Sequence, residues 1–365
     1  MIKNIKILPG KLNILFSNNK EDNFLNIWIR DHTKDKDSWD FRSNQRKIFT
    51  AKLDPELSIK EAHLKDNGKS VEILWSDLKK PINYPSSFFL KNFETSNGNR
   101  PNIKVWDKKD IDNDIYYDFK DTISDDGFKV FLNKLYKFGF VVVKNCETKM
   151  SSVEKIANKI GYVRKTIFGG LWSFESNQDM ADSAYTQDEL RPHTDSTYSH
   201  DAPGLQLLLC CQYNASGGES IMVDGFKIAE KIKNERNDLF NLLCEIEVKG
   251  QYIGDGVFLE AKRPIFRLNS DRKLIQVSFN NYDRAEFRME EKKTLNFYEA
   301  IREFDLIANN ENFQWRHILK PGELLIFNNW RILHGRGAFK GERKISGCYI
   351  NKEDFDSSCR LNGIF

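Results

Sequence analysis

The sequence predicts a mainly β protein: a double-stranded β-helix, or jelly roll, with flanking helices, preceded by a small β-rich N-terminal domain. Three observations carry this. Runs of strand length outnumber helical stretches in the second part of the chain. The candidate metal ligands His193, Asp195 and His334 fall at or beside such runs. Residues 1 to about 93 form a separate unit of short apolar runs, and Ser96-Asn97-Gly98-Asn99-Arg100-Pro101 after them is dense in turn formers. The domains expected are therefore 1–96 and 97–365.

In the first unit, the runs from Leu12 to Phe16, Phe24 to Ile29 and Val71 to Trp75 read as strands. The second unit opens with a helix, because Phe128, Phe131, Leu132, Leu135 and Phe138 share one face at helical spacing. Gly139 ends it, and Phe140-Val141-Val142-Val143 reads as a buried strand. A short helix follows near 151–160. Strands are expected at 204–211, 219–224, 274–279, 323–327 and 344–350, with helical stretches near 226–244 and 290–309.

Composition narrows the function classes. A chain of 365 residues with 40% apolar residues and 27 Phe can build a substantial core. With 56 basic and 53 acidic residues and no basic block, no nucleic-acid partner is expected. No stretch approaches the ~20 apolar residues of a membrane span. The first residues resemble neither a secretory signal nor a transit peptide, so a cytoplasmic location is expected. The six cysteines, all at or beyond Cys146 and without a C-x-x-C pair, read as buried thiols.

His193-Thr194-Asp195 and His334, 141 residues after His193, supply two imidazoles and one carboxylate. That is the donor set of a facial Fe(II) site with open positions. Residues two apart in a strand face the same way, so His193 and Asp195 can reach one metal. His334 follows the apolar run Glu323 to Phe327, which Pro321-Gly322 introduces as a turn. Period two also places Arg343, Ile345, Gly347 and Tyr349 on one face of a strand, with Gly347 expected to leave room for a bound molecule.

The second unit resembles the Fe(II)/2-oxoglutarate oxygenases of the taurine dioxygenase type, and within them the carnitine-biosynthesis branch of trimethyllysine and γ-butyrobetaine dioxygenases. Over most of residues 106–365 the likeness rests on Ala184-Tyr185-Thr186, His193-Thr194-Asp195, Gly217-Gly218-Glu219-Ser220 and Val223-Asp224-Gly225-Phe226. It continues through Asn280-Asn281-Tyr282-Asp283-Arg284-Ala285, Asn329-Trp330-Arg331, His334-Gly335-Arg336 and Gly347-Cys348-Tyr349. The first unit resembles the family's amino-terminal module through Trp28-Ile29-Arg30-Asp31-His32. The family's zinc-binding cysteines are missing from the following Thr33 to Ser38, so that zinc site is expected to be lost.

The resemblance implies that His193, Asp195 and His334 hold Fe(II) and act in catalysis. O2 and 2-oxoglutarate then give succinate and CO2 as a C–H bond becomes C–OH, with ascorbate as reductant. Arg343 matches the position that binds the distal carboxylate of 2-oxoglutarate, with Arg336 and Arg331 as nearby rivals, and Ser220 matches a hydroxyl donor to the same group. Phe168, Trp172, Tyr185 and Tyr349 match an aromatic cage for a quaternary ammonium, whose charge ring faces attract. Asp182 matches an acid suited to the α-ammonium of trimethyllysine, and Asn281 matches a substrate contact. The implied partners are a small quaternary-ammonium substrate and a second copy of the chain in a homodimer. The activities weighed are trimethyllysine hydroxylation, γ-butyrobetaine hydroxylation, oxygenation of another betaine-like metabolite, and a non-catalytic methyl-lysine reader.

Overall fold

In the first residues, alternation of apolar and polar side chains produces a meander. Strands β1 (Ile2–Leu8), β2 (Lys11–Phe16) and β3 (Glu21–Leu25) form an antiparallel sheet in the order β1-β2-β3, and Gly10, at φ 71°, makes the first turn. The computed structural model describes residues 1–94, 103–175 and 186–365. The chain divides into two compact units, Met1–Asn99 and Arg100–Phe365.

In the first unit, β2 buries Leu12, Ile14 and Phe16 on one face. A second three-stranded sheet, β4 (Ile59–Lys65), β5 (Ser70–Trp75) and β6 (Ile82–Pro85), adds Val71, Ile73 and Trp75 to the same core. The strand expected from Phe24 to Ile29 is a correction. β3 stops at Leu25, and α1 (Asn26–Asp31) follows, burying Asn26, Ile29 and Arg30 at helical spacing. A run this short fits either period, and the buried face decides. Where the family's cysteines would lie, Thr33 Oγ1 is 2.7 Å from the Tyr84 hydroxyl, which accepts from Trp75 Nε1 at 2.9 Å.

The second unit is layered helix, sheet, sheet, helix. Its large sheet contains β7 (Tyr116–Asp118), β8 (Phe140–Lys144), β9 (Val163–Arg164) and β10 (Leu171–Glu175). A smaller sheet contributes β11 (Leu190–His193). β12 (Leu205–Gly217) returns to the large sheet, and β13 (Ser220–Asp224) to the small one. An antiparallel hairpin, β14 (Glu247–Gly254) and β15 (Val257–Pro264), precedes β16 (Gln314–His317), β17 (Leu324–Asn328), β18 (Ile332–Arg336) and β19 (Phe339–Ile350). The large sheet runs β9-β19-β12-β17-β8-β7, with β10 also on β19, and the small one runs β11-β18-β13-β16.

Parity along the strands assigns the layers. In β8, Val141 and Val143 join an outer core with α2 (Asp125–Phe138) and α3 (Met150–Ile160), whereas Phe140 and Val142 face the space between the sheets. In β17, Leu324 and Ile326 face out and Leu325 and Phe327 face in. Strands buried on both faces read as unbroken apolar runs, which is why these two were visible in the sequence. Gly139 closes α2 in the left-handed conformation at φ 80°. The stretch read as one helix near 226–244 is two, α4 (Gly225–Glu235) and α5 (Asn237–Glu245), broken at Arg236 (φ −141°, ψ 68°). Together with α6 (Glu291–Ala308), they cover the small sheet. The arrangement is the jelly roll with flanking helices that the sequence predicts.

A buried ion pair ties the layers together. Arg331 donates to both carboxylate oxygens of Asp224, at 3.0 and 2.6 Å, and to the carbonyls of Lys137 and Lys104. Asp224 also accepts from the Trp106 amide. Arg331 is therefore a structural cation, not an anchor for a ligand. Breaking one side of a buried pair strands the other charge, so Asp224→Ala should cost about 3–5 kcal/mol. Urea unfolding of the variant against the parent chain measures this.

Candidate active site

β11 and β18 are antiparallel neighbours whose register places His193 directly opposite His334. The strand containing His193 ends there, so the expectation that Asp195 lies on the same strand is corrected. A loop delivers Asp195, with Ser196 after it at φ 57°. Asn329 clamps that loop: its Oδ1 accepts from the Asp195 amide at 2.8 Å, and its Nδ2 donates to the Asp195 and Pro203 carbonyls. Asp195 Oδ1 then lies 3.4 Å from His193 Nε2 and 3.6 Å from His334 Nε2.

The electrostatics suit a metal. Burial pushes His334 down to about 3 against the pull of Asp195, so its imidazole is neutral at pH 7. Burial alone would raise Asp195, but His334, His193 and the Tyr349 hydroxyl outweigh it and hold the carboxyl below its usual range. Burial alone would lower His193, yet hydrogen bonding and charge from Asp195 raise it. His193 Nδ1 lies 2.8 Å from the Arg191 carbonyl, which fixes that proton and turns Nε2 towards Asp195. Donor atoms of His193, Asp195 and His334 all lie within 4.8 Å of one another. Neighbouring ligands about 2.1 Å from an octahedral ion sit about 3 Å apart, so the three fit one face of such an ion after a small contraction.

Tyr349 donates its hydroxyl to Asp195 Oδ2 at 2.8 Å and accepts from Gln206 Nε2 at 3.4 Å. This sets which carboxylate oxygen stays free for a metal. Outer hydrogen bonds of this kind are worth about 10- to 100-fold in metal affinity. Tyr349→Phe should weaken Mn(II) or Fe(II) binding by that range in a direct titration. Unchanged affinity would mean that the hydroxyl does not orient Asp195.

Two cavities of about 90 Å³ each meet at the triad and share Phe174, Leu190, His193, Gln206 and His334. The first runs along the barrel to Ser220, Arg336 and Arg343. Arg343 is held below the usual arginine range by burial, and no carboxylate pairs with it among the described residues. Arg336 spends its Nη2 on the Thr186 and Asp188 carbonyls. The second cavity is walled by Phe168, Tyr198, Tyr282 and Tyr349, with Asn280 and Asp283.

The predicted residues therefore divide. Ser220 and Arg343 share the first cavity, and Phe168 and Tyr349 share the second. Trp172 lines neither. It pairs with Gly347 across β10 and β19, and an ideal Cβ at Gly347 would meet its Cη2 at 2.4 Å. The space expected beside Gly347 is thus filled by the indole, which also packs on Phe174 and Tyr349. Asn281 is exposed and accepts from Arg284, while Asn280, one residue earlier, lines the second cavity. Asp182 and Tyr185 lie outside the described residues. Gln206, Phe174 and Tyr198 were not foreseen. Of these, only Gln206 left a mark in the sequence, as a lone amide in the apolar run Leu205 to Cys210.

A two-sheet barrel with two imidazoles and a carboxylate, and along the cavity a half-buried arginine with no acid partner among the described residues, is the design of a non-haem iron oxygenase that takes a dicarboxylate co-substrate. Residues 107–349 match the family "Taurine catabolism dioxygenase TauD, TfdA family", and the chain belongs to it, as a dioxygenase of the Fe(II)/2-oxoglutarate class. A trimethyllysine dioxygenase of Meyerozyma guilliermondii is 30% identical over 93% of this chain and 90% of its own. A γ-butyrobetaine dioxygenase of Pongo abelii is 27% identical over 96% of this chain and 94% of its own. A Burkholderia xenovorans crystal structure assigned as an alpha-ketoglutarate-dependent taurine dioxygenase superposes with a TM-score of 0.53. It is 11% identical and covers 68% of this chain and 91% of its own, a likeness of fold. No helix of the described residues is long and apolar enough to cross a membrane.

Proposed function

We propose that this chain hydroxylates a small trimethylammonium substrate, N6,N6,N6-trimethyllysine, to 3-hydroxy-trimethyllysine in carnitine biosynthesis. One observation carries the reading: the two cavities that meet at the triad have opposite electrostatic character. The first contains Arg336 and Arg343 and, among its described lining residues, no acid. The second has aromatic walls and Asp283, and no lysine or arginine among its described lining residues. A dianionic co-substrate suits the first, and a cation without N–H donors suits the ring faces of the second. Relatives along nearly the whole chain, trimethyllysine and γ-butyrobetaine dioxygenases, support the same substrate class.

In this reading His193, Asp195 and His334 hold Fe(II), which when bound couples the oxidative decarboxylation of 2-oxoglutarate to insertion of one oxygen atom of O2 into a C–H bond. Arg343 and Ser220 take the distal carboxylate, the guanidinium through a planar fork. Tyr349 holds Asp195 in place, and Phe168, Phe174 and Tyr349 present ring faces to the substrate. Asp182 pairs with the substrate's α-ammonium. That pairing separates trimethyllysine from γ-butyrobetaine, which carries only a carboxylate at that end. The amino-terminal unit keeps its fold through its apolar core and the Thr33–Tyr84–Trp75 hydrogen bonds rather than through zinc.

Succinate formation by the Fe(II)-loaded chain with 2-oxoglutarate and ascorbate tests the proposal. Trimethyllysine should stimulate it at least tenfold more in kcat/KM than γ-butyrobetaine, a difference of about 1.4 kcal/mol. The reverse preference would overturn the role of Asp182 and leave the trimethylammonium class standing. Stimulation by neither would overturn that class.

A further inference from the structure

Asn280 has a second face. On one side it lines the substrate cavity, and on the other a small separate pocket that the reaction does not use. That pocket has a volume of about 20 Å³. A water-sized occupant needs roughly 10–15 Å³ on the same measure, so there is room for one small ion or one water.

Arg263 and Arg284 both line this pocket, and none of its described lining residues is acidic. Arg263 is only 7% exposed. Its Nη2 donates to the His200 carbonyl at 3.3 Å, and its buried Nη1 has no hydrogen-bond partner among the described residues. Arg284 donates through Nη2 to Asn281 at 3.1 Å, and its buried Nε also has no partner among the described residues. Two guanidinium groups thus border one pocket, each with an unused N–H. Of the acids nearby, Asp283 accepts from Thr197 Oγ1 and Asn280 Nδ2, and Glu260 pairs with Lys249, itself a lining residue of the pocket. Burial, with Arg267 and Arg164 adding to it and Asp201 opposing, lowers Arg263 to about 10, so it stays charged at pH 7. A buried cation with no acid hydrogen-bonded to it is costly, and an anion between the two guanidiniums reduces that cost.

We infer that this pocket is a binding site for a halide-sized monovalent anion, held by Arg263 Nη1 and Arg284 Nε. Oxyanions such as phosphate or sulfate exceed its volume. The anion would brace the segment from Asn280 to Arg284, which forms the floor of the substrate cavity on its other face. The inference is independent of the substrate proposed above, because it concerns a different pocket and needs neither iron nor substrate.

The test is thermal unfolding of the full chain without added metal, so that halide cannot act at the triad. Sodium gluconate is replaced stepwise by sodium chloride, and separately by sodium bromide, at constant ionic strength. The melting temperature should rise with the logarithm of halide concentration. Arg263→Met should abolish the rise. No halide dependence in the parent chain, or the same dependence in the variant, overturns the site. If Arg263→Met does not fold, Arg284→Gln serves in its place and should flatten the response. Crystals grown in bromide give a second readout: an anomalous peak between the two guanidiniums is expected, and its absence, with only water in the pocket, overturns the inference.

Discussion

Replacing His193 with alanine should lower kcat/KM for succinate formation by about 10³ or more, at least about 4 kcal/mol of transition-state stabilisation. The reason is geometric. His193 and His334 are opposite one another on neighbouring strands, with ring centroids 4.3 Å apart, and Asp195 closes the triangle from a loop. Without one imidazole, two donors remain, and they no longer cover a face of the coordination sphere. The fold should tolerate the change, because His193 is not part of the apolar cores on either side of the small sheet. The measurements are Mn(II) binding, turnover and far-ultraviolet circular dichroism on one preparation. Full activity in a folded variant would remove His193 from the metal site.

Arg343→Ala should raise the KM for 2-oxoglutarate about 100-fold, or about 2.7 kcal/mol, within the ~1.5–3 kcal/mol typical of a charged hydrogen bond. Turnover at saturating 2-oxoglutarate should fall far less. Arg343 has no acid to neutralise it among the described residues, and burial already works against its charge. The variant without co-substrate should therefore be as stable as the parent chain, because nothing is left unpaired when the guanidinium goes. Lysine at this position would restore the charge but not the fork, and should recover only part of the affinity. An unchanged KM would move the carboxylate anchor to Arg336, which borders the same cavity.

What could be read from the sequence depended on the range of the signal. β8 and β17 were legible because both faces of each are apolar, and His193-Thr194-Asp195 because it is a local triplet. The parity of β19 was legible too: Arg343 and Ile345 line the first cavity and Tyr349 the second, while Cys348 and Ile350 join the outer core. The strand read at Phe24 to Ile29 failed because six residues cannot separate a period of two from one of 3.6 once the face that will be buried is unknown. The packing of Trp172 was not legible for a different reason. Its position beside the cage depends on what fills the gap at Gly347, and only cross-strand packing between β10 and β19 shows that its own ring fills it. The division of the barrel into two cavities of unlike charge depends on residues from distant strands, and no local pattern encodes it.

The pairing of His193 with His334 has one more consequence. Side chains alternate across a strand, so a slip of a single residue between β11 and β18 would turn one imidazole to the opposite face of the sheet. Metal affinity is then a gauge of strand alignment. During refolding, the moment at which the chain first captures Mn(II) would mark when β11 and β18, brought together from opposite sides of a long intervening stretch, have locked into their native register. A chain trapped one residue out of step could keep nearly all its secondary structure and still be blind to the ion.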